Sequence, residues 1–176
     1  MGKLIVTTQC TLDGVIDSVG EWVDPGADHG DHSFELQKDS AGLVLGRKTY
    51  EGLAGFWPNQ PDDDPWAAMV NPMPKFVGST TLEGPLEWNA TLIEGGLDGV
   101  PALKDGADGD LFVQGNGEFA YALTEAGLVD EFLIYVNPLT WGEGVHLFGD
   151  RGPVRMELAD VKRFESGVVG LTYTPA

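Results

Sequence analysis

Cysteine is nearly absent from this chain: Cys10 is the only one in 176 residues. That excludes an internal disulfide framework and a multi-cysteine zinc site. Cys10 lies in an apolar, β-branched opening run, which predicts a buried, inert thiol. Positive charge is scarce as well, with 10 basic against 28 acidic side chains and a formal net charge of -18. General binders of nucleic acid or of anionic membranes need a basic surface, so neither partner is expected. No apolar run approaches the roughly 20 residues that span a bilayer. Lys3 is followed by Leu4-Ile5-Val6 and then by polar Thr7-Thr8-Gln9, which is no signal peptide. The expectation is a soluble cytoplasmic protein. What is plentiful is apolar material, 42% of the residues, together with 25 glycines and 11 prolines. This suits one core with many turns and short strands, so residues 1–176 are read as a single domain.

The opening Leu4-Ile5-Val6-Thr7-Thr8 reads as a strand, and Asp13-Gly14 as a turn. Gly20, Pro25, Gly26 and Gly30 mark a loop, followed by a short helix over 34–38. Leu43-Val44-Leu45, set between glycines, suits a buried strand that passes into a helix over 47–53. Pro58, Pro61, Pro65, Pro72, Pro74 and the run Asp62-Asp63-Asp64 predict an exposed, mobile loop over 57–74. Further strands are expected at 75–79, 90–93, 111–113 and 129–137, with short helices at 98–104 and 118–126. Segments 155–164 and 168–174 read as a closing antiparallel pair. Strands that alternate with helices and end in a strand pair imply an α/β sheet, mostly parallel, with an antiparallel C-terminal edge.

Three segments carry candidate chemistry. Gly46-Arg47-Lys48-Thr49-Tyr50 lies where a buried strand enters a helix, and two of the ten basic residues fall in it. Backbone N–H groups at a helix start attract anions, so this is a candidate phosphate clamp with Arg47 at its centre. Val113-Gln114-Gly115-Asn116-Gly117-Glu118 is a second strand-to-helix glycine turn, of the kind that lets backbone approach a pyrophosphate. Ala120 stands where a dinucleotide fingerprint would need its third glycine. Val77-Gly78-Ser79-Thr80-Thr81 ends a strand in three hydroxyls suited to a ribose or its phosphate. Two glycine turns in one small domain suggest a single extended, phosphate-bearing ligand held by both.

The order of Thr11-Leu12-Asp13-Gly14-Val15-Ile16, Gly46-Arg47-Lys48-Thr49-Tyr50-Glu51, Gly115-Asn116-Gly117, Leu128-Val129-Asp130-Glu131-Phe132 and Gly142-Glu143-Gly144 resembles the dihydrofolate reductase-like superfamily. Within it, the chain more closely resembles the branch related to the C-terminal reductase domain of the bifunctional riboflavin-biosynthesis deaminase/reductase. The resemblance covers nearly the whole chain. It implies a central, mostly parallel sheet of about eight strands flanked by helices, NADPH as hydride donor, and a homodimer. By motif it assigns Gly46, Arg47, Lys48 and Thr49 to the cofactor phosphates, with Arg47 facing the adenosine 2′-phosphate or the adjoining phosphates. Ser79 and Thr80 fall by the adenosine ribose. Gly115, Asn116, Gly117, Glu118 and Phe119 fall at the pyrophosphate and nicotinamide end. Counting back from Gly46 to the catalytic carboxylate of folate reductases meets Gly30, flanked by Asp28 and Asp31. The zinc pattern of the deaminase half is absent.

The expected activity is therefore NADPH-dependent reduction of a small heterocyclic or glycosylamine-like substrate, the nearest named case being 5-amino-6-(5-phosphoribosylamino)uracil. The alternatives are a non-catalytic NADP(H)-binding homodimer of the same fold, or dihydrofolate reductase. Asp13 and Asp31 are the candidate proton donors, and Trp22 and Trp57 the candidate stacking partners of a flat substrate. His29 and His32, three residues apart, have no third ligand and read as part of a solvated acidic loop, so no metal is expected. His146 reads as structural.

Overall fold

Short runs of β-branched and aliphatic residues supply the strands of one eight-stranded sheet in the computed structural model, which describes residues 2–24, 27–115 and 117–176. In chain order the elements are β1 (Leu4–Thr11), α1 (Val19–Trp22), α2 (Asp28–Gln37), β2 (Gly42–Gly46), α3 (Arg47–Phe56), α4 (Pro65–Val70), β3 (Lys75–Gly78), β4 (Ala90–Leu92), α5 (Val100–Gly106), β5 (Leu111–Gln114), α6 (Glu118–Glu125), β6 (Glu131–Asn137), β7 (Met156–Arg163) and β8 (Val169–Pro175). The strand order is β4-β3-β2-β5-β1-β6-β8-β7. The first six of these strands pair parallel, and β8 runs antiparallel to both β6 and β7. A mostly parallel sheet with an antiparallel C-terminal edge is thus what the chain adopts.

Both faces of the sheet are covered, so the central strands read as near-continuous apolar runs. Leu4, Val6, Val44, Leu111, Val113, Phe132 and Ile134 face one way and pack with Val100 of α5 and with Ala120 and Leu123 of α6. Ile5, Leu43, Leu45, Phe112, Leu133 and Tyr135 face the other way and pack with Tyr50 of α3. Cys10 belongs to the first core, 3% exposed, and burial pushes its thiol up to about 11. The thiol is un-ionised at neutral pH.

Two segments differ from their reading in the sequence. The loop expected around Gly30 is replaced by α2, which starts at Asp28. Its buried stripe is polar: His29, Ser33 and Gln37 recur at four-residue spacing and face inward, so no apolar periodicity announces the helix. The start of α2 is tied to the distant β7–β8 hairpin, because the Asp28 carboxylate accepts from the backbone N–H of Glu165 (2.6 Å) and of Ser166 (3.3 Å). His29 is 1% exposed against Tyr135 and Phe164, so it is no part of a solvated loop.

The second is 57–74, expected as an open loop. It holds a 3-10 turn at Trp57–Asn59 and then α4. Pro65 opens α4, and the Asp64 side chain caps it by accepting from Ala67 N–H at 2.9 Å. Ala67 and Val70 are buried, and Trp57 stacks on Trp66. Buried Lys75 closes the far end by donating to the carbonyls of Val70 and Asn71, with its ammonium 4.0 Å from the Trp88 ring centroid. Burial draws the Lys75 pKa down to about 8.

Candidate functional site

The C-terminal ends of β2, β3 and β5 open into a cleft of about 800 Å³. Open α/β sheets place their ligands at such strand ends, and the volume falls within the roughly 300–1,000 Å³ of small-molecule sites. Gly46, Arg47, Lys48 and Thr49 line it from the β2–α3 turn, Ser79 and Thr80 from the end of β3, and Gly115, Gly117, Glu118 and Phe119 from the β5–α6 turn. Asn116 lies outside the described residues.

The close approach of these elements rests on two glycines. Phe119, on the first turn of α6, lays its ring across Gly46 and Gly78. A Cβ on Gly46 would stand 2.8 Å from Phe119 Cβ, and one on Gly78 would overlap the ring itself. Gly115 serves differently: its φ of +75° is one that side-chain-bearing residues rarely adopt. Helices α3 and α6 are preceded by Gly46 and Gly117, and among the described residues neither has a side-chain cap, so their first-turn N–H groups can meet a ligand.

The charge of the cleft inverts that of the chain. Arg47, Lys48 and Arg151 line it against a single carboxylate, Glu118, although acidic residues outnumber basic ones 28 to 10 overall. Arg47 is fixed by two bonds, from Nε to Glu51 Oε1 (2.8 Å) and from its guanidinium to Thr81 Oγ1 (2.6 Å). Ser79 Oγ accepts from the backbone N–H of Thr81 and Leu82, which holds that hydroxyl loop in place. Arg151, His146, Phe148 and Val145 come from the loop between β6 and β7, and no local motif in the sequence marks them as part of a site. His146 was read as structural; here it lines the cleft, its Nδ1 3.1 Å from the Gly144 carbonyl. Phe148 holds a φ of +67° while packing on Phe132, a backbone conformation unusual for an aromatic residue.

Beneath the cleft, Gln114 is held by a buried polar chain. Its amide donates to Gln37 Oε1, and Gln37 Nε2 donates to the carbonyl and hydroxyl of Ser33. A backbone carbonyl only accepts, so the Ser33 carbonyl fixes both amide orientations. Further along, the Tyr135 hydroxyl lies 3.0 Å from His32 Nδ1. Burial holds Tyr135 up at about 12 and draws the His32 pKa down, so both groups are neutral at neutral pH.

The other expected residues lie elsewhere. Asp13 is a loop brace: its carboxylate accepts from Thr11 Oγ1 (2.5 Å) and from the backbone N–H of Trp141 (3.1 Å) and Gly142 (2.8 Å). The Thr11 hydroxyl, and then those N–H groups, hold its pKa at about 2. Asp31 is on the exposed side of α2. Trp22 donates from Nε1 to the Asp17 carbonyl, and Trp57 packs with Phe56 and Trp66. None of these four lines the cleft. Among the described residues no cluster of His, Cys, Asp and Glu could hold a metal ion, and no helix is long and apolar enough to cross a membrane.

A family model described as the RibD C-terminal domain matches residues 2–170. The uncharacterized protein YyaP of Bacillus subtilis (strain 168) is 28% identical over 180 residues, covering 97% of this chain and 94% of its own. A candidate riboflavin biosynthesis protein from Shewanella sp. PV-4 has a crystal structure that superposes with a TM-score of 0.72 at 24% identity, covering 99% of each chain. The Thermotoga maritima diaminohydroxyphosphoribosylaminopyrimidine deaminase/5-amino-6-(5-phosphoribosylamino)uracil reductase superposes with a TM-score of 0.64 at 14% identity, over 99% of this chain and 57% of that one. These likenesses place the fold among the dihydrofolate reductase-like folds.

Proposed function

The chain belongs to the family of RibD C-terminal domains, and from that premise we propose that it is an NADPH-dependent reductase of a small heterocyclic or glycosylamine-like substrate. The nearest named reaction is reduction of 5-amino-6-(5-phosphoribosylamino)uracil. The observation that carries this reading is the inverted charge of the cleft: three cations and two uncapped helix starts converge at the strand ends of a chain with a net charge of -18. That donor set fits an elongated ligand with phosphates at more than one point. Gly46, Arg47, Lys48, Thr49, Ser79 and Thr80 hold its adenosine end, and Gly115, Gly117, Glu118 and Phe119 its diphosphate and nicotinamide end.

NADPH, when bound, supplies the hydride. The protein's part is to fix the reacting faces, exclude water and hold a proton. Glu118 and His146 are the lining residues proposed to exchange one. The Gly144 carbonyl accepts from His146 Nδ1, so Nε2 is the ring atom left for a substrate. Loss of NADPH absorbance on addition of the ribosylaminopyrimidine tests the reading. Turnover supports it. Oxidation with dihydrofolate alone transfers the activity to folate, binding without turnover on either favours the non-catalytic homodimer, and no NADPH binding ends it.

The same reading includes a homodimer, and β7 is the surface that supports it. This eight-residue edge strand leaves Leu158 and Val161 54% and 51% exposed. A bulge between Leu158 and Asp160 brings both onto the face of Tyr173 and Leu171. Antiparallel pairing of β7 with its own copy in the register that sets Leu158 opposite Val161 also sets Glu157 opposite Lys162, a self-complementary edge. Light scattering of the wild type and of Val161→Lys checks it: a dimer that becomes a monomer is expected, and a monomeric wild type refutes it.

A further inference from the structure

We propose that Arg151 is the second anion-binding arm of the cleft: it takes the diphosphate beside the start of α6, while Arg47 takes the phosphate beside Thr81. This rests on the NADPH reading above and assigns its phosphates to separate cations.

Arg151 comes from a loop whose root is fixed. Val15 and His146 form a β-bridge, and Leu147 N–H donates to the Gly14 carbonyl at 2.7 Å. Phe148 and Gly149 then turn the chain with φ of +67° and +51°, and Arg151 N–H donates back to the Phe148 carbonyl at 3.2 Å. The turn sets the Arg151 guanidinium 4.4 Å from the ring centroid of Tyr121, a buried residue on the first turn of α6. A guanidinium over an aromatic face keeps its N–H fork in plane and available for two oxygens of one phosphate. Among the described residues Arg151 is in no ion pair, so its charge is uncompensated.

Arg47 comes from the β2–α3 turn. Glu51 offsets part of its charge and Thr81 orients it, at the hydroxyl-rich end of β3 that carries Ser79 and Thr80. Arg47 and Lys48 thus belong to the uncapped start of α3, and Arg151 to that of α6. A ligand with a single anionic group would use one of them; a phosphorylated dinucleotide spans both. The phosphate that separates NADPH from NADH falls to Arg47, and the diphosphate common to both falls to Arg151.

Calorimetric titration of the whole chain with NADPH and with NADH separates these roles. Arg151→Ala is expected to weaken both ligands by the same factor, about tenfold or more, leaving their ratio unchanged. Arg47→Ala is expected to weaken NADPH and collapse the ratio. Arg151→Lys keeps a charge without the stacked fork and falls between. Exposed Arg151 is not needed for folding, and an unchanged melting temperature in Arg151→Ala verifies that. Wild-type affinity in Arg151→Ala, or a changed ratio, overturns this assignment while the NADPH reading stands. A wild type that binds neither dinucleotide overturns both.

Discussion

The two strand-to-helix turns of the cleft look alike in sequence and work by different physics. At the β2–α3 turn, Gly46 has ordinary extended backbone (φ −76°, ψ 160°), and what it supplies is space for Phe119. At the β5–α6 turn, Gly115 has no atom of the described residues beyond its chain neighbours within 4 Å of where its Cβ would stand, and what it supplies is a φ of +75°. The cations differ in the same way. Arg47 follows Gly46 directly, whereas Arg151 arrives from a loop beyond β6. A glycine at a ligand turn can thus answer either a steric or a dihedral demand, and the two predict opposite responses to substitution.

The largest effect is expected beside the steric turn, at Gly78, the β3 residue that pairs with Gly46 and shares its contact with Phe119. A methyl group on Gly78 occupies the volume of the Phe119 ring, so Gly78→Ala drives Phe119 off the strand ends. Overpacking of this kind costs about 1–3 kcal/mol, and here it also misplaces the start of α6. Thermal unfolding is expected to shift down and NADPH binding to fall below detection. Trimming the ring in Gly78→Ala/Phe119→Leu is expected to restore part of both. A double variant no better than the single one breaks the steric account.

At the dihedral turn the expectation reverses. Gly115→Ala meets no atom yet pays for left-handed backbone, about 1–2 kcal/mol. Asn tolerates that region better than Ala, so Gly115→Asn is expected to be the milder change despite its greater bulk. Melting temperatures in the order wild type, Asn, Ala support a dihedral role. Ala milder than Asn makes Gly115 a second steric site.

This contrast also separates what was legible in the sequence from what was not. The strands and the Gly46–Thr49 segment were legible because their signals are local: apolar runs between glycines, and a cation beside a helix start. Helix α2 was not, because the stripe it buries is polar: Gln37 bonds Ser33 and Gln114 of β5, and His29 packs against the rings of Tyr135 and Phe164. Residues 57–74 read as a loop because five prolines outweigh a six-residue helix whose cap, Asp64, looked like one charge in an acidic run. Arg151 and His146 could not be found by proximity in sequence. A signal did exist, in that Gly142-Glu143-Gly144 sits just before His146, but nothing local joins that loop to the strand ends. The join is made by Asp13 and Asp17, which bond the backbone of Trp141, Gly142 and Val145 across more than a hundred residues.

The smallest expected effect tests that join. Asp13 is not at the cleft, yet it braces the loop that leads to Arg151. Bonds from the Thr11 hydroxyl and from two backbone N–H groups hold its carboxyl at about 2, below the ordinary 3.8. A carboxylate with a depressed folded-state pKa contributes stability that is complete above 3.8 and is lost as the pH falls toward 2. Asp13→Asn keeps one acceptor oxygen but removes the charge and the titration. The variant is expected to be slightly less stable at neutral pH, with a stability curve that falls less steeply between pH 3.8 and 2 than the wild type. Because the brace acts on the loop and not on β2–α3, the same variant is expected to weaken NADPH and NADH alike, by less than Arg151→Ala does. Acid unfolding followed by circular dichroism, with dinucleotide titration at neutral pH, reads both. Parallel acid curves would remove Asp13 from the brace, and a selective loss of NADPH would tie it to the wrong turn.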